Sequence, residues 1–230
     1  MKDGEKFIDL LSNVIYTQEN IDRAKRYLSV RKIDFKSLKH PWVLTGSDIS
    51  VFKVLGRYPV GRYPEVFINS LFVPIVDIED DKELIGYDVR YCGDESNRLR
   101  FVKFKKNYES LFLYYTHNFS EIDKDCPVII TESAIDAESV RGFGLPVVSP
   151  LNAMNHVRFC AVLRAISSKI YVMYDNDETG LQSAKKIIKN FSVDKELSTG
   201  VKLISYTGKD PNYCLCNQET LFKSMVTSQL

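Results

Sequence analysis

The sequence predicts an α/β chain: a mixed α+β N-terminal subdomain, then a mainly parallel sheet with helices on both faces, then a short helical tail. Three observations predict it. After Pro127 the apolar runs "PVIIT", "LPVVS", "KIYVMYD" and "VKLISY" alternate with the helix-like stretches "AIDAESVRGF", "NHVRFCAVLRAI" and "LQSAKKIIKNF". Strands alternating with helices build parallel sheets covered on both sides. Before residue 120 the β-rich runs instead follow one another directly, as in a meander. The totals are those of a globular protein, with 44% hydrophobic and 27% charged residues over 230 positions,.

In chain order, residues 6–30 predict helix, with Thr17 as an N-cap and Ile21, Ala24, Tyr27 and Leu28 along one face,. From Pro41 to Pro64 the chain is broken by Gly46, Gly56, Pro59 and Gly61 and reads as loop with short elements,. "GRYPVGRYPEVF" repeats Gly-Arg-Tyr-Pro within it; Arg57 and Arg62 are surface-loop residues within reach of a phosphate. "SLFVPIVDI" and "KELIGYDVRY", with the acidic "EDDKE" at the turn, predict a hairpin,. "RLRFVKFKKNYESLFLYY" continues as strand, alternating basic and aromatic residues. The charged "SEIDKDC", residues 120–126, marks the boundary. The domains expected are 1–122, 123–213 and a helical tail, 214–230.

The net charge of +1 gives no global pull toward nucleic acid,. The five cysteines, Cys92, Cys126, Cys160, Cys214 and Cys216, are odd in number, irregularly spaced and without a C-x-x-C pair. Neither a disulfide framework nor a zinc ribbon fits them, so reduced thiols and no zinc are expected. His40, His117 and His156 share no ligand spacing. No run approaches the roughly 18 apolar residues of a membrane span, and the start has no signal core,. A soluble, cytoplasmic protein with no membrane partner is expected.

The chemistry is expected where strands end in acid, because open parallel sheets collect ligands at their carboxyl ends. "VIITESAID" places Glu132 just past one strand and Asp136 in the first turn of the next helix. "KIYVMYDNDETG" ends another strand in Asp175 and Asp177. Adjacent strands would bring the four carboxylates together, where they repel unless a divalent cation intervenes. Carboxylate-only ligation suits hard ions, Mg²⁺ or Mn²⁺. A D-x-D after a strand is also ordinary loop chemistry, with Asp177 capping the helix near Thr179. Farther upstream, six basic residues between Arg90 and Lys106 interleave with Tyr91, Phe101 and Phe104. Alternation would put Arg98, Arg100 and Lys103 on one face and aromatics on the other, the pattern of a single-strand binding surface. A solvated strand face over an aromatic core explains the same residues.

"TESAIDAESV…GLPVVSPLNA…YVMYDNDETGLQSAKKI…TGKDPN" resembles the Toprim domain shared by primases, topoisomerases and some nucleases. The resemblance covers roughly residues 127–213. The hallmark glutamate of that family matches Glu132, and its D-x-D matches Asp175 and Asp177. "GKDPN" resembles the closing segment of bacterial and phage replicative primases, through Lys209 and Asp210. The spacing of Glu132 and Asp136 also favours primases. Two positions depart from the pattern: Ser133 stands where glycine is usual, and Asn212 where an acid is frequent. The N-terminal half is similar, more loosely, to the rest of a primase core. "AKRYLSVRKID" resembles a helix ending in an arginine-containing turn, and "LFVPIVDIEDDKELIGYDVRY" a strand pair whose arginine faces nucleic acid, here Arg90. The accompanying Lys-Tyr pair corresponds to Arg100-Phe101 or to Lys103-Phe104, with Lys103 favoured.

The resemblance implies a DNA primase core that joins ribonucleoside triphosphates on single-stranded DNA. Mg²⁺ or Mn²⁺ would sit on Glu132, Asp175 and Asp177, with Asp136 and Asp210 as further acids, and Glu132 is alternatively a general base. Arg90, Arg98, Arg100, Lys103 and Lys209 would contact nucleotide or template. Primases of this kind carry a zinc-binding domain and a helicase connection, and neither is expected within these 230 residues. The expectation is therefore a minimal, phage-encoded core in a host cytoplasm, using a replicative helicase and a zinc-binding subunit in trans. A Toprim nuclease and a non-catalytic replisome scaffold are the alternatives.

Overall fold

The structure, a computed structural model, describes residues 2–47, 67–78, 80, 82–93, 101–105, 111–151, 156–191 and 200–230. These form two compact units, one of 1–30 and 34–112, the other of 31–33 and 113–230.

The first unit is an antiparallel sheet with helices against it. Helix α1 (Lys2–Ile15) is followed by α2 (Gln18–Val30), and the sheet runs β1 (Val43–Leu44), β2 (Ser70–Val76), β3 (Leu84–Tyr91), β4 (Phe101–Lys105) in that order. Thr17 caps α2 as its sequence predicts, its Oγ1 accepting from the Asn20 N–H at 3.2 Å,. Ile8, Leu11 and Ile15 recur on one face of α1, and they close over Phe72, Tyr87, Val89, Val43 and Phe67,. The β2–β3 hairpin stands as predicted, with Asp88 opposite Val73 and Arg90 opposite Leu71. Strand pairing puts Lys103 across from Asp88 and Lys105 across from Gly86, so the basic residues of β3 and β4 share one face,.

The second unit is a five-stranded sheet. Its strands are β5 (Tyr114–Tyr115), β6 (Val128–Thr131), β7 (Val147–Ser149), β8 (Ile170–Met173) and β9 (Val201–Leu203), in the order β5-β7-β6-β8-β9. All neighbours are parallel except the β5–β7 edge. The crossovers carry α3 (Ala134–Arg141), α4 (His156–Ile166) and α5 (Glu178–Phe191). Strands β6 and β8 are buried along their whole length, which is why both read as unbroken apolar runs,.

Two boundaries differ from expectation. The second unit begins at Leu113, ahead of the charged 120–126 stretch, because Tyr114 and Tyr115 pair with Ser149 and Val148 on the sheet edge. At the other end the chain forms α6 (Pro211–Asn217) and α7 (Glu219–Thr227). Both belong to the second unit, with Phe222 set edge-on against Phe143 and Tyr206.

Candidate active site

Because β6 and β8 are neighbours, with Thr131 beside Met173, their carboxyl ends open at the same level. Glu132 leaves the end of β6, and Asp175 and Asp177 follow β8. Three local devices shape these ends. Ser149 on β7 donates to the Glu132 carbonyl at 2.8 Å, fixing the main chain that carries the glutamate. Asp177 Oδ1 accepts from the Gly180 N–H at 2.7 Å and so caps α5, as the loop-chemistry reading of D-x-D expects,. Asn176, between the two aspartates, receives nothing from its spacing in the sequence. Yet its N–H donates to the Lys209 carbonyl at 2.8 Å and its side chain to the Tyr206 carbonyl at 3.3 Å. The middle residue of D-x-D thus ties the β8 loop to the "GKDPN" segment.

That segment is built by its own residues. Gly208 has φ +129°, and a Cβ there would lie 2.3 Å from Cys214 Sγ,. Asp210 then caps α6, accepting from the Tyr213 N–H at 2.7 Å, with Pro211 at the first helical position,. Lys209 is exposed.

The acids feel one another. Burial pushes the Asp175 carboxyl up to about 8, and the charges of Asp136, Glu132, Asp210 and Asp177 add to it,. Glu132 is raised as well, first by burial and then by Asp136 and Asp177, against an opposing hydrogen bond from the Asp175 backbone. The five predicted acids therefore share one electrostatic neighbourhood. Glu132 Oε2 and Asp175 Oδ1 are buried with no hydrogen-bond partner. Buried carboxylate oxygens left without donors are costly unless a cation satisfies them, and hard oxygen donors suit Mg²⁺ or Mn²⁺. Among the described residues no set of three or more His, Cys, Asp or Glu side chains is already gathered to ligating distance.

The remaining predicted residues lie in the first unit. Arg90 and Lys103 stand on the same face of β3 and β4 with Lys105. Between them sits Asp88, only 8% exposed, whose carboxyl is pushed up to about 6 by burial against the pull of Lys103 and Arg90. Burial lowers the Lys103 ammonium, and Asp88 opposes this. Of the two readings of this run, a strand face over an aromatic core accounts for Phe104 and Tyr91. Phe104 turns to the opposite face, 5.6 Å from Phe7 and 5.3 Å from Phe67, and Tyr91 is buried. Both serve the core and offer no ring to a base. Arg98, Arg100 and the Gly-Arg-Tyr-Pro repeats lie outside the described residues.

Residues 129–215 match the family model described as Toprim-like. This stretch of the second unit is similar to a Toprim-like domain. No curated protein matches the chain, but solved structures do. The zinc-binding and RNA polymerase domains of the Aquifex aeolicus primase superpose with TM-score 0.71 at 18% identity, over 96% of this chain and 60% of that one. The primase fragment of the bacteriophage T7 primase-helicase protein gives TM-score 0.53 at 18% identity, over 69% and 62%. A DnaG primase catalytic domain bound to single-stranded DNA gives 0.72 at 14% identity, over 99% and 83%. The chain has the fold of a primase catalytic core and spans less than two thirds of the Aquifex and T7 chains. Among the described residues no helix is long and apolar enough to cross a membrane.

Proposed function

We propose that this chain is a DNA primase catalytic core that joins ribonucleoside triphosphates on a single-stranded DNA template. The observation that carries the reading is the pair of buried, unpartnered oxygens on Glu132 and Asp175, set among mutually repelling carboxylates on a primase-core fold. Mg²⁺ or Mn²⁺ held there would neutralise triphosphate charge and favour in-line attack by a 3′-hydroxyl.

The chain's own groups have distinct tasks. Glu132, Asp175 and Asp177 present the ligating oxygens, and Asp136 and Asp210 complete the negative field. Alternatively, Glu132 is the general base that takes the 3′-hydroxyl proton. Arg90, Lys103 and Lys209, with Arg98 and Arg100, bind template or nucleotide phosphates. A zinc-binding, template-reading module and a replicative helicase are the proposed partners, in a phage replisome within the host cytoplasm. The Aquifex structure joins a zinc-binding domain to its polymerase domain, and the T7 fragment comes from a primase-helicase, which supports this choice.

The test incubates the chain with single-stranded DNA, labelled ribonucleotides and Mg²⁺ or Mn²⁺, beside Asp175→Ala and Asp177→Ala. Short RNA products that vanish in the variants are expected, with more product when a zinc-module partner is added. Template shortening without synthesis would establish a nuclease instead, and bound metal with neither product would establish a non-catalytic scaffold.

A further inference from the structure

The five acids differ in what the protein already asks of their oxygens. Glu132 Oε2 and Asp175 Oδ1 accept nothing. Asp177 and Asp210 each give one oxygen to a helix cap. Asp136, only 5% exposed, gives both: Oδ2 accepts from the Ser133 hydroxyl, and Oδ1 accepts from the Asn212 N–H at 3.3 Å. Ser133 and Asn212 are the two positions at which the sequence departs from the primase pattern. They meet on one side chain, one at each carboxylate oxygen.

Asn212 is 4% exposed and uses its whole amide. Its Oδ1 accepts from Arg31 Nη1 at 3.0 Å, and its Nδ2 donates to the Arg31 carbonyl at 3.0 Å and to Ser139 Oγ at 2.8 Å. The partners fix the orientation of the amide, since a guanidinium only donates and a carbonyl only accepts. Ser139 has already given its own proton to the Ile135 carbonyl. A carboxylate at 212 would keep the Arg31 guanidinium contact. It would also turn lone pairs toward the Arg31 carbonyl and Ser139 Oγ. The position demands an amide.

We propose that Asn212 is a positioning residue. With Ser133 and Asp136 it forms a clasp joining the 31–33 segment, α3 and α6, and Asp136 serves this clasp instead of ligating the cation. The inference rests on reading Glu132, Asp175 and Asp177 as a cation site. It assigns Asn212 a structural task at the place where the family pattern carries an acid.

The test measures Mn²⁺ affinity by calorimetry and the melting temperature by circular dichroism, neither of which depends on primer synthesis. Asn212→Asp should lower the melting temperature by roughly 2–8 °C without tightening Mn²⁺ binding. Asp136→Asn, which retains the shape of the side chain and an acceptor oxygen, should leave Mn²⁺ affinity within about threefold, against about tenfold or more lost in Asp175→Asn. Tighter Mn²⁺ binding by Asn212→Asp at an unchanged melting temperature would overturn the clasp, as would loss of binding in Asp136→Asn equal to that in Asp175→Asn. Absence of Mn²⁺ binding in the wild type would overturn the ligand assignment. Binding and clasp effects as expected, with no primer made, would leave this inference standing and refute only the primase reading.

Discussion

Asp175→Asn should make the metal-free protein more stable while weakening its response to metal. In the unfolded chain this carboxyl titrates at its ordinary 3.8, and in the fold it is pushed up to about 8. The folded state therefore binds the proton more tightly. Stability contributed by the neutral form is fully present below about pH 4 and is lost as pH rises toward 8,. Each tenfold change in proton affinity is about 1.4 kcal/mol, which sets a ceiling near 6 kcal/mol. The group keeps some contact with solvent, and screening reduces the expected effect to about 1–3 kcal/mol. For a chain of this size that corresponds to roughly 2–10 °C in melting temperature. The assay is a set of melts in chelator at pH 5 and pH 8, repeated with Mn²⁺. The variant should exceed the wild type at pH 8 by more than it does at pH 5,, and with its affinity lowered tenfold or more it should gain at most about 1.4 kcal/mol from Mn²⁺ at one hundred times the wild-type dissociation constant. The wild type should gain about 2.7 kcal/mol at one hundred times its dissociation constant. Equal melting temperatures at pH 8 in chelator, or a variant less stable at both pH values, would refute the account of a repelling, cation-seeking cluster.

Two further perturbations probe the supports of the site. Gly180→Ala would place a Cβ 2.2 Å from the Asp175 carbonyl oxygen; the gain of about 1 kcal/mol in helix propensity should be outweighed by roughly 1–3 kcal/mol of overpacking, lowering the melting temperature and weakening Mn²⁺ binding together. A melt at or above the wild-type value would show that the Asp175 main chain yields freely. Lys103→Ala should weaken binding of a labelled single-stranded oligonucleotide and reduce the slope of log affinity against log salt by about 0.7, whereas an unchanged slope would remove Lys103 from the phosphate-binding face.

What the sequence made legible was whatever is written locally. The apolar runs of β6 and β8, the helix following Ser133 and the cap at Thr17 each follow from neighbouring residues, and the structure places them as expected. Glu132 and Asp175 were legible as strand-end acids, but their convergence depends on β6 pairing with β8, and β7, which intervenes in sequence, lies on the other side of β6. Ser149 and Asn176 were invisible for the same reason: each acts on a segment 17 to 33 residues away through one or two hydrogen bonds, which leave no periodic trace. Alternation placed Phe104 on the face opposite Lys103, as found, but whether that face is open or covered is decided by the pairing with β3 and the packing of α1,.

The same distinction between local and distant signals bears on the two departures from the primase pattern. Taken singly, Ser133 and Asn212 read as erosion of a catalytic motif, because each replaces a family residue without a local reason. In the fold each has a partner: Ser133 caps α3 and holds one oxygen of Asp136, and the main-chain N–H of Asn212 holds the other while its side chain satisfies both polar ends of Arg31. A buried polar network is stabilising only when its members are matched. Reverting one position alone would leave either a carboxylate oxygen or a backbone carbonyl without its donor. The two substitutions are therefore expected to be coupled. The double variant Ser133→Gly, Asn212→Asp should melt at a temperature that differs from the sum of the single effects, since Ser133 donates to one Asp136 oxygen and the main chain of residue 212 to the other,.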